Sequence, residues 1–592
     1  MCGLIGGVGR VPSPGRIEAA MRRLQIRGPD AQAMELHHDY WMGHTLLAIR
    51  QPPQEQPIHA RDARIALVYN GELYDTAGSG AHDTAALLAR IVPVLRAADP
   101  LAERPGLNGD YAFAAVLHDG AGHWQRLLIA RDPAGVKPLY YRLTQDGFRF
   151  SSSVRALACC EDATPAIDRR AVAGLLRHGS IAQPRTIIEG IHAVMPGEWL
   201  LLEAPDFTPR RKIVTPAPAP HPGRGGLLDV AMDSVTRQAA DVIARGQHAP
   251  VFFSGGVDSA LLARLLDRAG AHVILRTLSI KDSVLDEGTQ AGKAARCLGL
   301  PLETIELDPA AAAGDIDRCL AAMDQPTVDA INAALVFSRG SQPDGRVVFT
   351  GTGLDELYNG YVWNNDCLRH FAGKTPSPEA LAAWLIDRTS YCDGSVLNRL
   401  LPGTPPCDIE PIIAADRDPT AALHHRLRDI CLLRFTSDRL LRDLDDVAMQ
   451  HGCEARVPFL GHAMLAHASS LAADDLRPET TGPGTVCDSY LTSPLKRPVI
   501  DAARTVLPLA ILSGAQKRGF VLPYDRLMAG PLKDRLPTGA PYEAALCRNL
   551  VDPEALSDLS KGDLPAPGPW LVWTLYAIEQ WLIDVNAELR QT

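Results

Sequence analysis

The stretch FFSGGVDSALL, residues 252–262, constrains the fold more than any other part of the chain. A short apolar run breaks at Ser254-Gly255-Gly256, and a helical pattern begins near Asp258-Ser259. In such a turn the backbone can approach a ligand closely, and the helix N-terminus presents unpaired N–H groups with a partial positive charge. This describes an anion cradle at the C-terminal edge of a parallel sheet. No GK[ST] follows, so it is not a Walker loop. Asp258 instead brings a carboxylate towards a Mg²⁺ ion on bound phosphates. A plain strand-to-helix turn with a capping aspartate is the alternative, and the full SGGxDS pattern after a strand argues against it.

The surrounding sequence supplies the sheet. LLDVAMDSVTRQAADVIARG, SALLARLLDRAG and EGTQAGKAARCLGL have helical periodicity, with Gly270 ending the second. APVFFS, HVILRTLSI, LETIEL and RVVFTGTG read as strands between and after them. Alternating strands and helices predict a doubly wound parallel sheet over residues 227–592, with further helices after it. A second loop, FTGTGLDELYNGY (349–361), leaves its strand in the same way. It carries Asp355 and Glu356 towards the first loop if both strands are central.

The first two hundred residues differ. ARIALVYNGELYD, DYAFAAVLHDG, HWQRLLIARDPAG and GEWLLLEA are β-rich runs broken by Gly, Asp and Asn. PDFTPRRKIVTPAPAPHPGRGG (205–226) has spaced prolines and little periodicity, so it is expected to link a domain at 1–204 to one at 227–592. At 592 residues, more than one core is needed.

Composition excludes several classes. The net charge of −10 implies no basic surface, so nucleic acid is not expected as the main partner. Twelve cysteines lack CxxC spacing or a His/Cys ligand cluster, so neither a zinc site nor a disulfide framework is indicated. Cys159–Cys160 is read as packing. No long apolar run suggests a signal peptide or a membrane span, and a reducing cytoplasm fits these features.

The opening MCGLIGGVGR carries the second chemical signal. If Met1 is trimmed, Cys2 holds a thiol of ordinary pKa about 8.5 beside an α-amine of about 7.7–8.0, which can serve as its base. The alternative is a small buried residue starting a strand.

Taken together these segments resemble a known family. MCGLIGG, RGPD (27–30), YNGELYD (69–75) and ARDPAGVKPLYY (130–141) are similar to a class II glutamine amidotransferase domain. SGGVDS, TGTGLDELYNGY, HGCEARVPFL (451–460) and QKRGFVLP (516–523) resemble the synthetase domain of glutamine-hydrolysing asparagine synthetase. The resemblance implies an Ntn-type αββα sandwich followed by a Rossmann-like ATP-pyrophosphatase domain. It also implies that the Cys2 thiolate attacks glutamine, with Asn70 and the Gly71 N–H as the oxyanion hole. Glutamine would be held by Asn70, Glu72 and Asp83. ATP would lie on Ser254, Gly255, Gly256, Asp258, Ser259, Thr350 and Gly351, with Mg²⁺ on Asp258 and Asp355. Lys517 would support adenylation of a carboxylate acceptor, and ammonia would then displace AMP. Relatives of this kind are often homodimers.

Three departures stand out. The family pattern HERLSI reads His44-Thr45-Leu46-Leu47-Ala48-Ile49, so the arginine that clamps the glutamine carboxylate is Leu46, and Arg50 is the candidate substitute. SGEGSDE reads Thr350-Gly351-Thr352-Gly353-Leu354-Asp355-Glu356, so the acidic residue near the reacting aspartyl group is Thr352. That points towards an acceptor other than aspartate: a specialised metabolite, a peptide or a sugar acid. Finally, the segment between Asn70 and Asp83 is short, and FASE reads Phe150-Ser151-Ser152-Ser153. PETTGPGTVCDSYLTSP (478–494) reads as a connector or as a loop over the synthetase site. Two other readings remain: a β-lactam-synthetase-like ligase using another amine, and a non-catalytic scaffold or sensor. The intact Cys2, Asn70 and Asp83 argue against the first. The joint survival of Cys2, Asn70, the phosphate loop, Asp355 and Lys517 argues against the second.

Overall fold

The computed structural model describes residues 2–50, 53–76, 82–162, 165–216, 226–280, 286–340, 344–405, 409–476, 489–491, 495–513, 524–530, 532–533, 550–561 and 569–589. The N-terminal part is a sandwich of two six-stranded antiparallel sheets. Its strands are β1 (Cys2–Gly9), β2 (Ala31–Leu36), β3 (Tyr40–Leu46), β4 (Ile58–Ala60), β5 (Ile65–Leu73), β6 (Gly109–His118), β7 (Trp124–Arg131), β8 (Tyr140–Thr144), β9 (Gly147–Ser151), β10 (Ile191–Ala193), β11 (Glu198–Glu203) and β12 (Asp206–Ile213). One sheet runs β10-β8-β9-β1-β3-β2 and the other β12-β11-β7-β6-β5-β4.

Strand alternation explains the layers. Leu4 and Val8 point between the sheets, where they meet Val68, Ala114 and Ile129. Ile5 points outward against helix α1 (Pro14–Leu24), through Ile17, Ala20, Met21 and Leu24. On the far side helix α2 (Asp83–Arg96) covers the second sheet with Leu87, Leu88 and Ile91. The result is the expected αββα arrangement.

One sequence expectation changes here. Residues 206–213, read as the start of the linker, form β12 and pair with β11 from Glu198↔Ile213 to Glu203↔Asp206. Pro209 is tolerated because β12 is an edge strand and needs no ladder on its outer side. Phe207 anchors the strand by stacking on Trp124, with ring centroids 5.6 Å apart. Residues 217–225 of the expected linker lie outside the described residues.

The C-terminal part is built on a parallel sheet of order β15-β14-β13-β16-β17. These strands are β13 (His248–Phe252), β14 (His272–Ile280), β15 (Leu302–Leu307), β16 (Val347–Phe349) and β17 (Glu454–Arg456). Helix α3 (Val154–Cys159) precedes it in the chain and packs on α1, whereas helix α4 (Arg169–His178) packs into the core of the C-terminal part. Helices α5 (Leu227–Ala244), α6 (Val257–Arg268) and α7 (Gly288–Leu298) cover one face of the parallel sheet. Helices α8 (Pro309–Ala322) and α9 (Ile331–Arg339) cover the other face, with Trp573, Tyr576 and Trp581 of the helix Pro569–Leu589. No described helix is long and apolar enough to cross a membrane. The chain leaves β13 in one direction and returns at β16 in the other, so the two expected loops flank a topological switch point.

The two parts are joined by buried polar contacts. Asp324, after α8, accepts hydrogen bonds from Ser153 Oγ and from the backbone N–H groups of Val154 (2.7 Å) and Arg155 (3.2 Å). The Ser151-Ser152-Ser153 departure therefore has a structural consequence. Ser151 Oγ donates to Leu4 O (3.0 Å), Ser152 Oγ accepts from Leu4 N (3.3 Å), and Ser153 caps α3 at Ala156 N (3.1 Å). Arg27 pairs with Asp445 at 2.6 Å across the same boundary.

Asp324→Ala leaves buried N–H and O–H donors without an acceptor. It is expected to destabilise the chain by about 3 kcal/mol. Calorimetry should show a lowered thermal midpoint, and an unchanged midpoint would remove Asp324 from the interface that holds the two parts together.

Candidate active sites

At the end of β1, Cys2 is paired in register with Leu46 of β3. Its backbone nitrogen donates to Asn70 Oδ1 at 2.9 Å. Removal of Met1 turns that nitrogen into an α-amine at the same contact. Asn70 is fully buried on β5, and its Nδ2 has no hydrogen-bond partner among the described residues. A buried donor without an acceptor is costly. Here it lies beside Cys2, where an oxyanion would satisfy it. Burial pushes the Cys2 thiol above its ordinary range, while the N-terminal charge and a backbone hydrogen bond at Leu47 pull it down. Next along β5, Gly71 has φ +154°, and a Cβ there would lie 2.1 Å from the carbonyl of Asp110. No other residue fits that bend.

Cys2, Arg50, Gly71, Glu72 and Asp83 line one pocket. Asp83 enters from the N-terminus of α2, bonded to the N–H of Thr84 at 2.8 Å. Leu46 forms part of the wall. Strand β3 pairs with β1 residue for residue from Tyr40 to Leu46, so no bulge re-aims it. Arg50 reaches the pocket from the segment after β3 and donates to Glu72 Oε1 through Nε at 2.6 Å and through a second nitrogen. Burial opposes the Arg50 charge, but Glu72 and Asp83 outweigh it and raise its pKa. Glu72 is pushed up by burial and pulled back by Arg456 and Arg50.

Arg456 connects this pocket to the second site. It is buried on β17 and donates to Glu454 (2.9 Å), to the Gln238 carbonyl and to Asp241, and it lies 3.8 Å from Glu72. Its carbonyl accepts from Thr350 N at 3.1 Å, the first residue of the second loop.

In the synthetase part, Gly256 N donates to Ser254 Oγ (3.3 Å) and Ser259 Oγ to Gly256 O (3.2 Å), which shapes the turn between β13 and α6. The second loop abuts it: a Cβ on Gly351 would lie 3.1 Å from Ser259 N. Asp258 and Asp355 converge on one cation, the ammonium of Lys496, at 2.6–2.8 Å. Gly360 permits this placement, because a Cβ there would strike Asp355 Oδ1 at 2.1 Å. Lys496 is buried, with φ +40°, a costly backbone region for a lysine. Burial works against its charge, but Asp258 and Asp355 hold it well above the usual lysine range. Two carboxylates sharing one cation form a hard oxygen pair of the kind that Mg²⁺ takes beside phosphates. Thr352 Oγ1 lies 3.0 Å from Thr350 Oγ1, a neutral pair. Lys517 and most of 478–494 lie outside the described residues.

Reading the sequence had not singled out Lys496, Arg456 or Asp324. Lys496 sits in SPLKRPVI, where its only mark is a position just before a helix.

The asparagine synthase family model matches residues 231–583. The chain belongs to that family. Its N-terminal part matches the glutamine amidotransferase domain model over residues 1–79 and 97–212, a span that takes in all but the last residue of β12 and skips all of α2. It is 26% identical over 490 residues to a Mycobacterium tuberculosis protein provisionally named a glutamine-hydrolysing asparagine synthetase, covering 72% of this chain and 71% of that one. Asparagine synthetase 1 of Bacillus subtilis is 24% identical, covering 61% of this chain and 59% of its own. The Penicillium rubens amidase chyE is 27% identical, covering 58% and 55%. This family member is therefore a carbon–nitrogen ligase of the asparagine synthetase type with a glutamine amidotransferase domain, and ATP and glutamine are its implied substrates.

If Arg50 binds a substrate carboxylate, Arg50→Gln forfeits a charge-assisted contact of about 1.5–3 kcal/mol. The glutamine KM, read by glutamate release, should rise roughly 10–150-fold. An unchanged KM would leave Arg50 as a partner of Glu72 alone.

Proposed function

We propose that the chain hydrolyses glutamine at Cys2 and delivers the ammonia to an acyl-adenylate of a carboxylate acceptor, giving an amide, AMP and pyrophosphate. The observation that carries the first half is the unpartnered Asn70 Nδ2 beside Cys2. The thiol loses its proton to the Cys2 α-amine and attacks the glutamine carboxamide. Asn70 Nδ2 and the Gly71 N–H stabilise the oxyanion. The amine returns the proton to the leaving ammonia, and water hydrolyses the glutamyl thioester to glutamate. Asp83 and Glu72 meet the α-ammonium of glutamine, and Arg50 meets its α-carboxylate in place of the missing arginine at Leu46.

In the second half, the backbone N–H groups and hydroxyls of Ser254, Gly255, Gly256, Ser259, Thr350 and Gly351 cradle the ATP phosphates. Asp258 and Asp355 would hold Mg²⁺, which neutralises phosphate charge as pyrophosphate leaves. An acceptor carboxylate oxygen attacks the α-phosphorus, and the bond to the β-phosphate oxygen breaks. Lys517, on the family pattern, supports that step. Ammonia then attacks the acyl carbon and expels AMP. It must remain out of bulk water, where most of it would be protonated and unreactive.

The acceptor is a carboxylic acid: aspartate or a specialised-metabolite, peptide or sugar acid. The neutral Thr350–Thr352 pair provides no counter-charge for an ammonium group on the acceptor, which favours an acid lacking one. A homodimer is in keeping with the family.

The test is AMP and pyrophosphate formation from MgATP with a panel of carboxylates, aspartate included, supplied with glutamine or with ammonium. Cys2→Ala should abolish amide formation from glutamine and retain it from high ammonium. Asp258→Asn should stop AMP formation while glutamate release continues. Loss of both nitrogen sources in Cys2→Ala, or unchanged AMP formation in Asp258→Asn, would overturn this division of labour.

A further inference from the structure

At the end of the sandwich away from Cys2, the turn between β2 and β3 meets the turn between β6 and β7. The first belongs to one sheet and the second to the other. His38 and Asp39 come from the first turn and His123 from the second. One ligating atom from each of the three lies within 4.8 Å of the others. The His38 and His123 rings have centroids 4.3 Å apart, and His123 Nδ1 lies 3.1 Å from Asp39 Oδ2. We propose that His38, Asp39 and His123 form a zinc-class transition-metal site that cross-links the two sheets.

The surroundings aim these groups rather than leaving them loose. Asp39 Oδ1 is engaged by the Trp124 N–H at 2.8 Å, which fixes the carboxylate and turns Oδ2 towards His123. The Asp39 backbone is tied on both sides, with its carbonyl accepting from Gly9 N (2.7 Å) and its N–H donating to Gly122 O (3.4 Å). His123 is held by its own turn, where its N–H donates to Asp119 Oδ1 at 3.1 Å and its carbonyl accepts from Asp119 N at 2.9 Å. Such support beyond the ligands sets their orientation before an ion arrives.

The chemistry selects the ion. Two imidazoles and one carboxylate are borderline donors, which suit Zn²⁺, Co²⁺ or Ni²⁺ and do not suit Mg²⁺ or Ca²⁺. In a four-coordinate tetrahedral site, metal–ligand distances of about 2.0–2.2 Å put ligand atoms roughly 3.3–3.6 Å apart. The exposed His38 and His123 side chains reach that spacing by rotating about their own side-chain bonds. The fourth position faces solvent and would take water.

The site is distinct from the catalytic pockets. Leu46 pairs with Cys2 and Tyr40 with Val8, so six strand residues, or about 20 Å, separate it from the nucleophile. Its role is a clip that adds to the hydrogen bonds Asp39 already makes with Gly122 and Trp124 across the two sheets. Binding an ion only in the folded state raises stability by mass action.

The test uses the full chain stripped of metal by chelator, with zinc chloride as probe, read by titration calorimetry and by thermal midpoint. The wild type should bind one more zinc per chain than His38→Ala or His123→Ala. Its midpoint should rise with zinc, as should that of the neighbouring control His59→Ala. The two ligand variants should lose that rise and weaken binding at this site by roughly 100-fold or more. His38 is exposed and lies outside the Asp119–His123 turn, so His38→Ala decides the question if His123→Ala folds poorly. Equal zinc stoichiometry and affinity in wild type and His38→Ala, or no zinc bound by the wild type, would overturn the proposal.

Discussion

The buried guanidinium of Arg456 is the contact on which the rest of the arrangement depends. Its charge is compensated by Glu454 and Asp241, and it faces Glu72 across the boundary between the two halves. Removing one member of such a set leaves a charge stranded in a low-dielectric interior, at a cost of about 3–5 kcal/mol. The same residue belongs to β17, which pairs with β16, and its carbonyl holds the N–H of Thr350. One side chain therefore lies 3.8 Å from Glu72 in the pocket beside Cys2 while its backbone fixes the start of the second loop. The relative placement of the two sites follows from that strand and from the Asp324 cap on α3.

Charge is arranged differently in the two sites. The pocket beside Cys2 sets Glu72 and Asp83 against Arg50, a pattern suited to a zwitterion with an ammonium and a carboxylate on one carbon. The nucleotide site sets Asp258 and Asp355 against Lys496, where mutual repulsion of the carboxylates is quenched by a single ammonium. Both sites are buried enough for these interactions to be strong, and both sit where strand ends meet glycine-permitted close approaches.

Much of this was legible in the sequence, for physical reasons. The strand–SGG–helix turn and the alternating elements after residue 227 specify a parallel sheet because each helix must return the chain to the same edge. Strands β13 to β16 and helices α5 to α7 fall where periodicity puts them. Asn70 of β5, which accepts from the Cys2 nitrogen, lies in the motif YNGELYD, and Asp83 at the start of α2 lines the same pocket. What was not legible depended on distant partners. Pro205 and Pro209 look like linker residues unless β11 is known to offer them an edge. Ser153 gains its meaning from Asp324, and Arg50 from Glu72. Lys496 lies between two loops that the chain reaches more than a hundred residues earlier, and nothing in its own neighbourhood announces that.

The central claim is that the two sites act as one, with nitrogen released at Cys2 reaching the adenylated acceptor inside the protein. The most direct measurement supplies amide-¹⁵N glutamine and MgATP with an accepted carboxylate, in the presence of excess unlabelled ammonium, and reads the isotope in the amide product by mass spectrometry. The account predicts product carrying ¹⁵N well above the bulk ammonium ratio, with one AMP per amide. Product labelled only at the bulk ratio would contradict it, because the nitrogen would then have passed through solvent between two independent sites.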